Sequence, residues 1–116
     1  MSLPEQAVLD EVTRVPGVRS ALLVAAEDGL VVAESAMEGQ ETAAAAALTS
    51  ALARRLTGVT RVLGHPEPSL VLLEATGGLV FAAYGGQGLL VVAVTEGGVN
   101  IGQVRLALLD AAGQLR

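Results

Sequence analysis

Apolar residues recur along the chain with two different periods. After Pro4, Val8, Leu9, Val12 and Val15 follow one another at helical spacing, with Glu5 in the first turn where a carboxylate suits the helix dipole, so residues 5–15 read as a helix. "VPGV" (15–18) ends it, because Pro16 disfavours a helical Val15 and Gly17 permits a sharp exit. "RSALLVAA" (19–26) and "LVVAES" (30–35) read as strands around the turn "EDG" (27–29). So short a connection allows only an antiparallel hairpin, since a parallel crossover needs a dozen or more residues. A long helix follows over roughly 41–63 and stops at "GHPEP" (64–68). "SLVLLEA" (69–75), "LVFAAY" (79–84) and "LLVVAVT" (89–95) are three more strands, joined by "TGG" and "GGQG", which again dictate hairpins. After "EGG" (96–98), Asn100 is placed to cap a last helix with the stripe Ile101, Val104, Leu108, Ala111 or Ala112, and Leu115.

The order helix, two strands, helix, three strands, helix defines an α+β domain. An antiparallel sheet with one wet face alternates apolar and polar residues, but "ALLVAA", "LVLLEA" and "LLVVAV" are apolar on both sides. Both faces of the sheet therefore need cover. If the terminal helices share one face, the long helix covers the other alone. At about 10–12 Å across it is too narrow for five strands at roughly 4.8 Å spacing. Some apolar surface stays bare, which argues for a second copy of the chain.

The long helix itself, "TAAAAALTSALARRL" (42–56) and beyond, has two contrasting sides. Leu48, Leu52, Leu56, Val59 and Leu63 fall on one side, the expected core stripe. Ala43, Ala46, Ala47, Ser50, Ala53, Arg54, Thr57 and Arg61 fall on the other, and no carboxylate is among them. Arg54, Arg55 and Arg61 against Glu41 make this helix basic within an acidic chain. Its small residues allow close approach of another backbone, so this side reads as the interface.

Composition narrows the function. The chain's 116 residues suit one domain, 1–116, and 52% apolar content excludes a disordered chain. A net charge of −5 and a pI near 4.7 argue against general nucleic-acid binding. Cysteine and lysine are absent, so there is no disulfide framework, thiolate chemistry or P-loop lysine. The uncharged run from Ala75 to Thr95 could pass for a membrane span, but its glycines break it into two strands around a turn, so no membrane insertion is expected. "MSLPEQAVLDEV" carries acidic residues and no apolar run, unlike a secretory signal, so a cytoplasmic location is expected.

Catalytic chemistry has little to work with. His65 is the only histidine, and with Glu67 it falls short of a metal ligand set. Ser20, Ser35, Ser50 and Ser69 lack a nucleophile elbow. Glu27 and Asp28 occupy a hairpin tip, where carboxylates are solvated, and Glu74 reads as a charge that protects a sheet edge. "GGVNIG" (97–102) meets a helix start but lacks dinucleotide-binding spacing. No enzyme, cofactor or metal is expected.

Two segments carry a family resemblance. "LDEVTRVPGVRSALLVAAEDGLVVA" (9–33) resembles the opening of Roadblock/dynein light-chain domains, and "LLVVAVTEGGVNIGQVRLAL" (89–108) resembles their ending. The resemblance implies a Roadblock/profilin-like α/β/α arrangement with a five-stranded antiparallel sheet in the order 2-1-5-4-3. The two terminal helices lie on one face of it and the long helix on the other. It also implies a dimer in which third strands pair edge to edge and long helices lie side by side. On this chain that places Leu70, Leu72 and Glu74, with Ala43, Ala47 and Ser50, in the dimer interface. The long-helix side of such dimers binds small Ras-like GTPases, which assigns Ala53, Arg54, Thr57 and Arg61 to partner binding. In the gliding-motility Mgl system the family member accelerates GTP hydrolysis without inserting an arginine finger. The expectation is a non-catalytic homodimeric regulator or scaffold of a small Ras-like GTPase. The alternatives are a small-ligand sensor domain, which the scarcity of aromatic residues disfavours, and a purely structural light-chain-type adaptor.

Overall fold

The computed structural model describes residues 4–36, 42–65 and 68–115. Glu41, the expected first residue of the long helix, and Glu67 of the His65 pair lie outside them. The elements are α1 (Pro4–Thr13), β1 (Val18–Ala25), β2 (Val31–Ala36), α2 (Thr42–Val62), β3 (Leu70–Ala75), β4 (Gly78–Tyr84), β5 (Leu89–Glu96) and α3 (Ile101–Gln114). All pairings are antiparallel and the sheet order is β2-β1-β5-β4-β3, leaving β2 and β3 as the two edges. The uncharged run from Ala75 to Thr95 forms the β4–β5 hairpin. Among the described residues no helix is long and apolar enough to cross a membrane.

One face of the sheet carries α1 and α3. Val8, Leu9 and Val12 of α1 and Val104, Leu108, Ala111 and Ala112 of α3 are buried against Leu23, Phe81, Val91 and their neighbours. Each fully buried aliphatic or aromatic side chain contributes about 1.5–3 kcal/mol, so this layer is the main core. Ile101 remains partly exposed at the start of α3, where the expected stripe runs out. Asn100 caps α3 by accepting a hydrogen bond from the Gln103 amide at 3.0 Å. Asn100→Ala leaves that amide donor unmet, and thermal or urea unfolding should show a loss of about 1 kcal/mol.

The other face carries α2, rotated from the sequence expectation: of the predicted core stripe only Leu52 and Leu56 stay half-buried, towards Val80 and Ala82. Leu48 is 74% exposed, and Val59 and Leu63 are more than half exposed. Part of the small side meets the sheet as well: Ala46 and Ala53 are buried, as are Thr49 and Ser50, whereas Ala43 and Ala47 are exposed. Hydrophobic bulk alone would turn the leucines inward. The observed orientation is fixed by contacts that only the small side makes. Arg54 Nη1 donates to the carbonyls of Ala26 and Glu27 at 3.0 and 2.6 Å, tying α2 to the β1–β2 turn. Tyr84 Oη, on β4, donates to the Ala53 carbonyl at 3.0 Å. At Gly29 the turn comes so close to α2 that a Cβ would stand 2.7 Å from Ser50 Oγ and 3.0 Å from Ala47 Cα. Bulky residues at 46, 50 or 53 would hold the helix away from all three contacts.

Lying over β1, β2 and β5, α2 leaves the third strand open. Central strands β1 and β5 are buried on both faces, whereas β3 is partly or fully exposed throughout. The expectation that one helix cannot cover five strands is realised at this edge.

Candidate functional site

Two surfaces of α2 stand out. The first is apolar. Leu52 and Leu56 of α2 line a crevice with Val71 and Leu73 of β3. Leu48, Val59 and Leu63 extend the helix stripe into solvent, and Val62 beside them is 87% exposed. The register of β3 on β4 places Leu73 opposite Val80, on the α2 side, and Leu72 opposite Phe81, on the α1/α3 side. Leu73 is 45% exposed. A row of large apolar side chains thus runs beside a strand whose outer edge bonds to no other strand among the described residues. Contiguous exposed apolar surface of this kind marks an interaction site more often than chance scatter does.

The residues assigned to dimerisation divide across this surface. Ala43 and Ala47 are exposed on α2, and Leu72 and Glu74 are exposed on β3. Leu70 is half-buried and packs onto the α1/α3 core. Ser50 is 1% exposed, its hydroxyl donating to the Ala47 carbonyl, so it spaces α2 from the β1–β2 turn within the chain. The leucines of α2 were absent from that assignment because the helical wheel placed them in the core, and Leu73 because only the alternate residues Leu70, Leu72 and Glu74 of its strand were assigned. The signal for the edge was available in "LVLLEA", which has no polar alternation and yet cannot be covered.

The second surface is a groove of about 610 Å³ between α2, the β1–β2 turn and the β4–β5 turn. All four residues assigned to partner binding line it: Ala53, Arg54, Thr57 and Arg61. Ala53 forms part of the floor as a buried side chain, Thr57 is half-buried, and both arginines are exposed. The spacing of 54, 57 and 61 puts the two guanidinium groups and the hydroxyl on one helix stripe. Opposite stand Tyr84 and the turn Gly85–Gly88, and Glu27 lies on the rim. The turn is closed by Gly85 N–H donating to Leu89 O at 2.8 Å. Gln87 and Gly88 adopt left-handed backbone angles of +61° and +72°. Ala26 N–H donates to Gly88 O at 2.8 Å, which holds the two turns together. Sequence reading missed Tyr84 and this turn as site residues; a lone tyrosine followed by "GGQG" was the only local signal. His65 is exposed, and no group of three metal-ligating side chains occurs among the described residues.

Comparison with known proteins follows the same architecture. The Roadblock/LC7 domain family matches residues 5–95. No curated protein matches the sequence. Among solved structures, Myxococcus xanthus MglB superposes with a TM-score of 0.86 at 20% identity, covering 96% of this chain and 90% of that one. The gliding protein MglB of Thermus thermophilus gives 0.87 at 22% identity, with 99% and 90% covered. A Roadblock/LC7 domain from Streptomyces avermitilis gives 0.83 at 21% identity, with 92% and 90% covered. At these identities the structures establish a shared fold, and together with the family match they identify the chain as a member of the Roadblock/LC7 domain family.

Proposed function

We propose that the protein is a non-catalytic dimeric regulator or scaffold of a small Ras-like GTPase. The observation that carries this reading is the exposed apolar stripe of α2 beside the open edge of β3. A single copy leaves that surface wet. Two copies related by a twofold axis can pair β3 with β3 and set their α2 helices side by side, burying the same leucines on both. Leu72 and Glu74 then flank the paired edge, and Ala43 and Ala47 allow the helices to approach. An MglB with a similar fold, 24% identical and with a TM-score of 0.88, is described with a tetrameric arrangement, so assembly through repeated use of this fold has a precedent. Arg61 and Thr57, at the groove mouth on α2, are the proposed contacts for the GTPase. Arg54 supports the surface by holding the β1–β2 turn.

The test is single-turnover GTP hydrolysis by the small Ras-like GTPase of the same organism, with and without excess protein, alongside binding in both nucleotide states. Faster hydrolysis with preference for the GTP form is the expected result and identifies an activator. Binding without acceleration leaves a scaffold or an adaptor. Absence of binding in both states overturns the reading and favours a small-ligand sensor. A specific observation supports that second reading: the only tyrosine, two arginines and a glycine turn converge on one groove of ligand size.

A further inference from the structure

We infer that the groove between α2 and the β4–β5 turn is a binding site for a small oxyanion, a phosphate ester or carboxylate carried on a compact organic body. Its volume, about 610 Å³, lies within the range of roughly 300–1,000 Å³ found for small-molecule pockets. The charge balance within it is the reverse of the chain's. Arg54 and Arg61 face the carboxylate of Glu27 alone, in a protein whose formal net charge is −5. An anion is repelled by most of this surface and drawn to the groove.

The chemistry is that of a guanidinium site with one fixed and one adaptable arm. Arg54 spends Nη1 on the carbonyls of Ala26 and Glu27. A guanidinium has five N–H donors in a rigid fork, so its Nη2 and Nε edge remains for a bidentate oxyanion. Because the fork is already held by two carbonyls, little ordering is needed when a ligand arrives. The side chain of Arg61, two turns along the same stripe, makes no hydrogen bond or ion pair among the described residues and can swing to meet the anion. On the opposite wall, three of the four residues of the Gly85–Gly88 turn lack a Cβ, so a ligand can approach the main chain directly. The walls formed by Ala26, Ala53 and Leu89 accept the apolar part of the ligand. The site requires no GTPase, and its test is independent of one.

The experiment is amide and guanidinium NMR of the isotope-labelled protein, titrated with inorganic pyrophosphate and, separately, with citrate, against sodium chloride at matched ionic strength. Saturable shifts confined to Glu27, Arg54, Arg61 and the Gly85–Gly88 turn are expected with at least one probe. Arg61→Gln, which removes a side chain without a partner among the described residues, should weaken that binding about tenfold, and Arg61→Lys should restore part of it. Shifts that only follow ionic strength with both probes overturn the site. So does saturable binding that Arg61→Gln leaves unchanged, because it places the anion elsewhere.

Discussion

Val59→Glu will convert a dimer into a folded monomer. Val59 is more than half exposed within the chain, so the substitution removes little internal packing and should change the subunit's own stability by no more than about 0.5 kcal/mol. In the proposed dimer the same position meets the partner's α2, where a glutamate would be desolvated among leucines. Burying an unpaired polar group costs several kcal/mol. A weakening of at least about a hundredfold, or roughly 3 kcal/mol, is therefore expected. Sedimentation equilibrium should give about twice the chain mass of 11.7 kDa for the unchanged protein and the single-chain mass for Val59→Glu. Leu73→Asp reaches the same surface from β3 and should act the same way. Circular dichroism separates dissociation from unfolding. If both variants keep the parental mass and remain folded, the α2–β3 surface is not the dimer interface.

The course of the chain was legible because its turns are short. "EDG", "TGG" and "GGQG" permit only hairpins, and strands apolar on both sides demand two covering layers, so element order and bare surface could both be read without coordinates. The orientation of α2 could not. A helical wheel compares side-chain bulk within one helix, and by that measure Leu48, Leu52, Leu56 and Val59 belong inside. The contacts that settle the matter come from far along the chain: Gly29, the carbonyls of Ala26 and Glu27, and the hydroxyl of Tyr84. The groove was hidden for the same reason. Arg54 and Arg61 lie about as far in sequence from Glu27 as from Gly88, and the adjacency of β1, β5 and β4 brings both turns to them. Alanine-rich stretches are ambiguous in this way: the same small side chain serves a close approach inside the fold or a close approach by a partner.

Gly29→Ala will cost far more than Gly77→Ala, and the difference measures how tightly α2 is pressed onto the β1–β2 turn. Both glycines are left-handed, with φ of +77° and +85°. An alanine pays about 1–2 kcal/mol for that conformation at either site. At Gly77 nothing lies within 4 Å of the new Cβ, so no further cost arises. At Gly29 the Cβ meets Ser50 Oγ at 2.7 Å and the main chain of α2 at Ala47 Cα, 3.0 Å away. The hydroxyl can rotate aside, but the helix backbone can yield only by moving off the sheet. Overpacking of this kind typically adds about 1–3 kcal/mol, giving a total of roughly 2–5 kcal/mol for Gly29→Ala. Urea unfolding should be run at fixed protein concentration in the Val59→Glu background, so that subunit association does not enter the midpoint. Adding Ser50→Ala to Gly29→Ala should recover only part of the loss, because Ala47 Cα stays where it is. Equal losses at Gly29 and Gly77 would show that α2 is not held against the turn, and the geometry of Arg54 and of the groove would then lose its support.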